Sequence, residues 1–117
     1  MKNNVKGDGL AAEKLAAQFL EENGLRLLES NFRCRFGEID LILQDGDVIV
    51  FTEVRLRSNA NFGGAAASIT NTKQAKIMRT AEAYLQQHHS RAPCRFDVLL
   101  LDNLAGTPQW IKNAFEA

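Results

Sequence analysis

The sequence predicts one α/β domain in which a mixed β-sheet is flanked by helices. Its 117 residues fit the size of a single domain, and 45% hydrophobic with 24% charged residues is typical of a globular protein. The hydrophobic patterns follow the order helix, three strands, helix, strand. Because a strand–helix–strand step normally forms a right-handed crossover, the last strand should lie parallel to its partner.

The first helix is predicted over residues 9–23, after a polar, glycine-containing start, residues 1–8, that we expect to be flexible. Gly24 marks the end of this helix, because glycine readily adopts the left-handed conformation found there. Five apolar residues at helical spacing indicate its buried face: Ala12, Leu15, Ala16, Phe19 and Leu20.

Three strands are predicted over residues 25–33, 36–43 and 48–56. The dipeptide at 45–46, Asp-Gly, is typical of a tight turn between two strands. The second and third strands should therefore pair as an antiparallel hairpin. The segment 58–70 that follows is rich in glycine, alanine and asparagine and is interpreted as a mobile loop.

The second half of the chain is predicted to contain a helix over 72–88 and a strand over 95–102. Asp97 and Arg95 are expected to form a structural ion pair at the start of this strand. Residues 109–115 are interpreted as a short tail whose aromatic side chains pack back onto the domain. The buried stripe of the helix is predicted from its spacing: Ile77, Met78, Ala81, Tyr84 and Leu85.

Composition argues against several classes of protein. Fourteen basic and fourteen acidic residues cancel, whereas proteins that bind DNA through many phosphates usually carry a positive excess. A local basic patch beside an acidic metal site remains compatible with this balance. The apolar runs are strand-length, so neither a membrane span nor a secretory signal is predicted. Cys34 and Cys94 lack metal-type spacing and are expected to be free thiols in a reducing cytoplasm.

The turn of the central hairpin predicts which side chains face one another. If Asp45 and Gly46 form a two-residue turn, the numbers of facing residues sum to 91, so that Glu38 faces Glu53. Side chains alternate between the two faces of a strand. One face of the hairpin should then carry Glu38, Asp40, Ile42, Ile49, Phe51, Glu53, Arg55 and Arg57.

Carboxylates gathered on one strand face repel each other unless something compensates their charge. Two interpretations stay open: a divalent cation bound by the hard carboxylate oxygens, or a solvated and salt-bridged sheet edge. An odd-length turn would move one strand's side chains to the opposite face and remove the cluster. Glu13 borders the buried stripe of the first helix, where it is either a boundary residue or one more metal ligand.

Basic residues are predicted to lie near these acids. Lys73 and Lys76 begin the second helix, whose N-terminal partial positive charge would help them bind phosphate. The same residues could equally form a solvated helix face. Four arginines cluster around the central strands and add to a local basic track: Arg33, Arg35, Arg55 and Arg57.

Three segments follow one another in a specific order: residues 37–42, residues 51–55 with Arg57, and residues 95–98. Together with Glu13, Asn31 and Lys73, they resemble the YraN-like family of uncharacterised bacterial proteins. The resemblance extends over residues 9–102. That family is similar to the PD-(D/E)XK nucleases, and particularly to archaeal Holliday junction resolvases. The resemblance therefore implies a restriction-endonuclease-like core.

In the nuclease pattern, Asp40 matches the first acid, Glu53 the second and Glu13 the additional helix acid. The resemblance implies that Asp40, Glu53 and the Val54 carbonyl, with Glu13 as a further ligand, hold Mg²⁺ or Mn²⁺ beside a scissile phosphodiester. Glu38 would support this site. Contacts to the nucleic acid would come from Arg57, Lys73, Lys76, Arg33 and Arg35.

Position 55 departs from the pattern, because the superfamily prefers lysine there. Arginine is always protonated, so Arg55 cannot act as a general base, although it can grip a phosphate with two donors. The resemblance implies a metal-dependent endonuclease for branched or structured DNA, working as a two-fold dimer because a junction has two equivalent strands. The departure at Arg55 keeps two alternatives open: a noncatalytic nucleic-acid-binding or assembly module, and a fold used for protein contacts only.

Overall fold

The computed structural model describes residues 3–56, 69–102 and 106–116, with side chains from Leu10 onward. Within these residues the chain forms two helices and five strands. In chain order they are α1 Asn3–Glu22, β1 Arg26–Cys34, β2 Gly37–Asp45, β3 Val48–Leu56, α2 Asn71–Gln87, β4 Cys94–Leu101 and β5 Gln109–Phe115.

The five described strands form one mixed sheet in the order β1-β2-β3-β4-β5. Strands β3 and β4 are parallel, and all other neighbours are antiparallel. The α2 helix connects the two parallel strands, as the crossover rule predicts. The predicted mixed α/β fold is therefore confirmed.

Each face of the sheet packs against one helix, because alternate side chains of the central strands point to opposite sides. We call the cluster that contains α2 the α2-side core; among its members are Ile42, Ile49, Phe51, Ile77, Ala81 and Tyr84. The cluster that contains α1 is the α1-side core; among its members are Ala16, Leu20, Leu41, Leu43, Val50 and Leu99.

The first helix is longer than predicted. It begins at Asn3 rather than at residue 9. Gly7 and Gly9 each cost a helix only about 1 kcal/mol relative to alanine, which does not end a helix anchored further along by a buried stripe. The predicted end is confirmed, since Gly24 has φ +96° and its N–H donates to the Glu21 carbonyl at 3.1 Å.

The second helix matches its predicted position and buried stripe. Ile77, Ala81 and Tyr84 are buried, and the predicted neighbours in the stripe pack against the same core while partly exposed. The pattern missed Thr80, which is fully buried. Its Oγ1 donates to the Lys76 carbonyl at 2.8 Å, and this bond compensates the burial of the hydroxyl.

The predicted C-terminal tail is instead a strand, β5, which pairs antiparallel with β4. Its period-two pattern is interrupted because Asn113 has φ +53° and the register against β4 shifts. The predicted aromatic packing is confirmed. Trp110 meets Phe19 edge-on at 6.2 Å between ring centroids, and the terminal ring of β5 stacks on Phe96 at 5.1 Å.

The central hairpin turns one residue later than predicted. Asp45 pairs with Val48, which leaves Gly46 and Asp47 as the two turn residues. Gly46 has φ +60°, the positive φ that a type II′ turn requires at its first central position. The sequence places Asp-Gly in the turn, but the structure uses the glycine as the first central residue.

This turn changes which acids oppose one another. The predicted pairing of Glu38 with Glu53 is wrong, because facing residues sum to 93, as in the pair Asp45–Val48. The difference is two residues, so the assignment of side chains to faces near the turn is unchanged. Continuing the register beyond its last pair, Leu41 with Thr52, brings Asp40 rather than Glu38 across from Glu53.

The regular alternation of β2 ends at Asp40. Ile39 and Ile42 are three residues apart yet both belong to the α2-side core, whereas Leu41 between them belongs to the α1-side core. A strict period of two would place Ile39 with Leu41. The strict alternation that predicts a shared face for Glu38, Asp40 and Ile42 therefore does not hold at Asp40.

Part of the sequence prediction lies outside the described residues. The loop predicted over 58–70 falls there except for its last two residues, and so does Arg57. Ile69 is buried in the α2-side core. Both cysteines are free, as predicted.

Candidate active site

Asp40 lies where strands β2 and β3 separate. Their backbone pairing is last seen between Leu41 and Thr52. Beyond that point the Val54 N–H donates to Asp40 Oδ2 at 2.8 Å. The carboxylate therefore takes the place of a backbone acceptor between the strands, and this bond fixes its position.

Glu53 lies beside it on β3 and is only 7% exposed. Its Oε2 atom is 3.1 Å from Lys73 Nζ on α2 and 3.7 Å from Arg55 Nη1 on its own strand. The predicted proximity of Lys73 and Arg55 to the second acid is thus present in the structure. The buried Glu53 carboxylate is therefore paired with two cations, an ammonium and a guanidinium.

Burial raises the pKa of Asp40 to about 6, with smaller upward contributions from the charges of Glu13 and Glu38. The Val54 N–H and the Lys73 ammonium act in the opposite direction without cancelling the rise. The ionised form of Asp40 is therefore disfavoured by its surroundings, as expected for a carboxylate with few hydrogen-bond donors.

Burial also raises the pKa of Glu53, and the negative charge of Asp40 raises it further. Lys73 and Arg55 lower it again, but the net direction remains upward. Asp40 and Glu53 are consequently close enough to repel each other. We call these two residues the acidic pair.

The other two predicted acids, Glu13 and Glu38, differ in exposure. Glu13 is half-buried on α1. Glu38 is largely exposed and pairs with Arg33 Nε at 3.1 Å. Both glutamates belong to the surroundings of Asp40 and act on it through their charges.

The donor set suits a hard divalent cation in part. Among the described residues, no three or more His, Cys, Asp or Glu side chains are gathered so that they could hold a metal ion. Glu13 is therefore not assembled with the acidic pair into one ligand set. Mg²⁺ commonly binds one or two carboxylates and completes its shell with water and substrate phosphate. Asp40 and Glu53 fit that mode.

A cleft of about 320 Å³ lies at the start of α2, close to the Lys73 that pairs with Glu53, and Glu38 also lines this cleft. Lys73 and Lys76 line it, as do Thr70 and Thr72. Thr70 also caps the helix, since its Oγ1 accepts the Lys73 N–H at 3.1 Å. The two threonines are parts of this surface that sequence reasoning missed, although Thr70 before a helical pattern is an N-cap signal.

The remaining predicted basic residues make other contacts. Arg33 is engaged with Glu38 on the exposed edge, and Arg35 lies over the ring of Phe36 at 4.9 Å in the β1–β2 turn. Arg57 falls outside the described residues. The structure therefore brings Lys73, Lys76 and Arg55 towards the acidic pair.

Another buried carboxylate, Asp97, lies on β4 beside β5. Arg95 Nε donates to both of its oxygens, at 3.1 and 3.2 Å. Trp110 Nε1 and the Asn113 N–H each donate at 2.9 Å. The predicted ion pair between Arg95 and Asp97 is confirmed, and Arg95 also reaches Asp45 at 2.9 Å. We call this set the Asp97 network.

The fold and this site define an α/β protein whose described sheet carries a carboxylate pair, one member buried and one half-buried, where two central strands diverge. A family model described as "Uncharacterised protein family UPF0102" matches residues 12–101. The chain belongs to the UPF0102 family, which confirms the resemblance to YraN-like proteins. No helix among the described residues has the length and apolarity needed to cross a bilayer.

Curated relatives match almost the whole chain. A UPF0102 protein of Nitrosomonas europaea is 54% identical over 109 residues, covering 92% of each chain. One of Methylobacillus flagellatus is 54% identical over 114 residues, covering 97% of this chain and 100% of the relative. One of Legionella pneumophila is 48% identical over 111 residues, covering 93% and 94%. The names of these relatives give the family and state no activity.

Proposed function

We propose that this protein is a Mg²⁺- or Mn²⁺-dependent endonuclease that hydrolyses phosphodiester bonds in branched or otherwise structured DNA. The observation that carries the proposal is the acidic pair. A buried and a half-buried carboxylate repel each other and have raised pKa values, an arrangement that costs stability and is typical of functional sites. The resemblance to nucleases supports the same function. We include a restriction-endonuclease-like topology in the proposal on the basis of that resemblance.

Asp40 and Glu53 would hold the metal ion, with the Val54 carbonyl as a further oxygen donor. When bound, the ion would polarise the phosphoryl group and lower the pKa of an attacking water. The hydrogen bond from the Val54 N–H holds Asp40 in place. Neutralisation of the two carboxylates by a cation would remove the repulsion that raises their pKa values.

Lys73 and Arg55 would contact the phosphate. Both lie within 4 Å of Glu53 Oε2, so a phosphodiester next to this carboxylate would meet an ammonium and a guanidinium. Lys76 continues the same surface along the cleft. These cations would position the substrate and stabilise the negative charge that develops on it. A two-fold dimer would match the two equivalent strands of a junction.

A noncatalytic nucleic-acid-binding module is the second candidate, and a specific observation favours it. The Lys73 ammonium already compensates Glu53 at 3.1 Å, and the described side chains gather no group of three metal-ligating residues. Arg55 also cannot take up a proton from water. Such a module would bind branched DNA without cutting it.

A cleavage assay tests the proposal. Purified protein is incubated with labelled four-way junctions, flaps and single strands in Mn²⁺, alongside Asp40→Asn, Glu53→Gln and the exposed control Glu82→Gln. We expect products from wild type and the control, and none from the two acidic-pair variants. Arg55→Lys should cut at least as fast as wild type, because lysine matches the nuclease pattern.

Calorimetric titration with Mn²⁺ separates the two candidates. Heat of binding from wild type and Glu82→Gln, lost in Asp40→Asn and Glu53→Gln, supports the metal site. Junction binding with equal Mn²⁺ heats in all four proteins and no cleavage products would replace the enzyme by the noncatalytic module.

A further inference from the structure

Asn31 has an unusual backbone for the middle of a strand. It lies within β1 with φ +56°, in the left-handed region that asparagine tolerates better than most residues. The pairs on either side of it are Ser30 with Leu41 and Phe32 with Ile39. The register therefore places Asn31 on the same rung of the sheet as Asp40.

The side-chain alternation breaks on both strands at this rung. Phe32 meets Tyr84 of α2 edge-on at 5.2 Å, and its partner Ile39 also belongs to the α2-side core. On the other side of the rung, Ser30 pairs with Leu41, which belongs to the α1-side core. Residues two apart on one strand normally share a face. The face changes here on β1 and β2 together.

This break determines where the Asp40 carboxylate goes. In a continued antiparallel ladder the Val54 N–H would donate to a backbone carbonyl of β2. It donates instead to Asp40 Oδ2 at 2.8 Å. The carboxylate thus lies between the strands, where it can approach Glu53, rather than standing on one face of the sheet.

Asp97, a buried carboxylate on β4, also has a left-handed asparagine on the adjacent strand. Asn113 lies in β5 with φ +53°, and its N–H donates to Asp97 Oδ1 at 2.9 Å. In both places a left-handed asparagine on the adjacent strand accompanies a carboxylate that accepts a backbone N–H. The conformation is therefore linked to the placement of a buried acid twice in one sheet.

We propose that Asn31 is a positioning residue for Asp40, and that it acts through its left-handed backbone. The left-handed Asn31 moves the following side chains of β1 to the other face of the sheet. The paired strand β2 changes face at the same rung, and this directs the Asp40 carboxylate to the Val54 N–H. Glycine adopts this conformation freely, whereas an L-residue with a plain Cβ is strained there by about 1–2 kcal/mol. The inference concerns geometry and holds whether or not the site cuts DNA.

Amide hydrogen exchange measured by NMR tests this directly, because the Val54 amide reports the bond to Asp40. Val50, in the regular part of the same strand, serves as the internal reference for overall stability. In Asn31→Ala we expect Val54 protection to fall by about tenfold or more relative to Val50. Asn31→Gly should keep the ratio within about twofold of wild type. The matched control Asn113→Ala should leave the ratio unchanged.

An unchanged ratio in Asn31→Ala would overturn the proposal. So would a fall in Asn31→Gly as large as that in Asn31→Ala, because it would assign the role to the asparagine side chain. Should Asn31→Ala fail to fold, the glycine variant alone still decides between retention and loss of Val54 protection. Absence of Mn²⁺ binding in wild type would contradict the proposed function and leave this inference intact.

Discussion

The Asp97 network and the acidic pair differ in how far hydrogen bonds compensate the burial of a carboxylate. Asp97 is 1% exposed and accepts hydrogen bonds from Arg95, Trp110 and the backbone of Asn113. Asp40, which is half-buried, accepts one bond, from Val54, among the described residues. Its buried neighbour Glu53 is also an acid, and the negative charge of Asp40 raises the pKa of Glu53.

Under the proposed function, this difference separates a structural acid from an acid that binds a ligand. A buried charge that is fully hydrogen-bonded contributes to a unique fold, and removing its partners is costly. A buried charge left with few donors disfavours its own ionised form. The Asp97 network ties β4 to β5 and to the β2–β3 turn, whereas the acidic pair would gain most from a cation that is not part of the chain.

The largest expected effect is a loss of stability in Asp97→Asn. The amide keeps the shape of the carboxylate but removes its charge and turns one acceptor into a donor that faces other donors. Arg95 then loses its closest buried partner, so we expect unfolding to become easier by about 3 kcal/mol. Urea denaturation near pH 7 measures this change. A loss below about 1 kcal/mol would mean that the network is no stronger than a surface ion pair.

The same substitution at Asp40 should act in the opposite direction. The asparagine side chain would still accept the Val54 N–H but would carry no charge, so Asp40→Asn should be about 2 kcal/mol more stable than wild type near pH 7. Because burial raises the pKa of Asp40 to about 6, the folded wild type binds this proton more tightly than the unfolded chain. The contribution of Asp40 to the stability of the folded wild type is present below about pH 4 and is lost as the pH rises through about 6.

Denaturation of wild type and Asp40→Asn at several pH values checks both the sign and the window. The advantage of the variant should appear between about pH 4 and pH 6 and remain constant above. A variant less stable than wild type at pH 7 would place Asp40 in the same class as Asp97.

The smallest expected effect is at Thr52, beside the acidic pair. Its Oγ1 is buried without a hydrogen-bond partner among the described residues, so Thr52→Val should stabilise the protein by up to about 1 kcal/mol. Thr80→Val is the matched control, because Thr80 is equally buried but donates to the Lys76 carbonyl. It should be neutral or destabilising. Equal effects at both positions would show that the unpaired hydroxyl at Thr52 has a partner in solution.

Much of the fold was predictable because hydrophobic periodicity is a local property. The turn at Gly46 was assigned one residue too early, since Asp-Gly is compatible with more than one turn type. The resulting register error was an even number of residues, so the faces near the turn were unaffected. Strand β5 was missed because the left-handed Asn113 interrupts its alternation.

The candidate site was predictable in its members more than in its geometry. Asp40, Glu53, Arg55 and Lys73 follow from strand alternation together with the family resemblance. The break at Asp40 was not predictable, because it depends on the backbone of Asn31 on a neighbouring strand.

The most direct test of the acidic pair as a cation site is a pH titration of the Asp40 side-chain carboxyl by carbon NMR, with and without Mg²⁺. Without the ion we expect a pKa of about 6. Saturating Mg²⁺ should lower it below about 5 in wild type, and Glu53→Gln should weaken this response. A pKa that is the same with and without Mg²⁺ would contradict the claim that the acidic pair binds a cation.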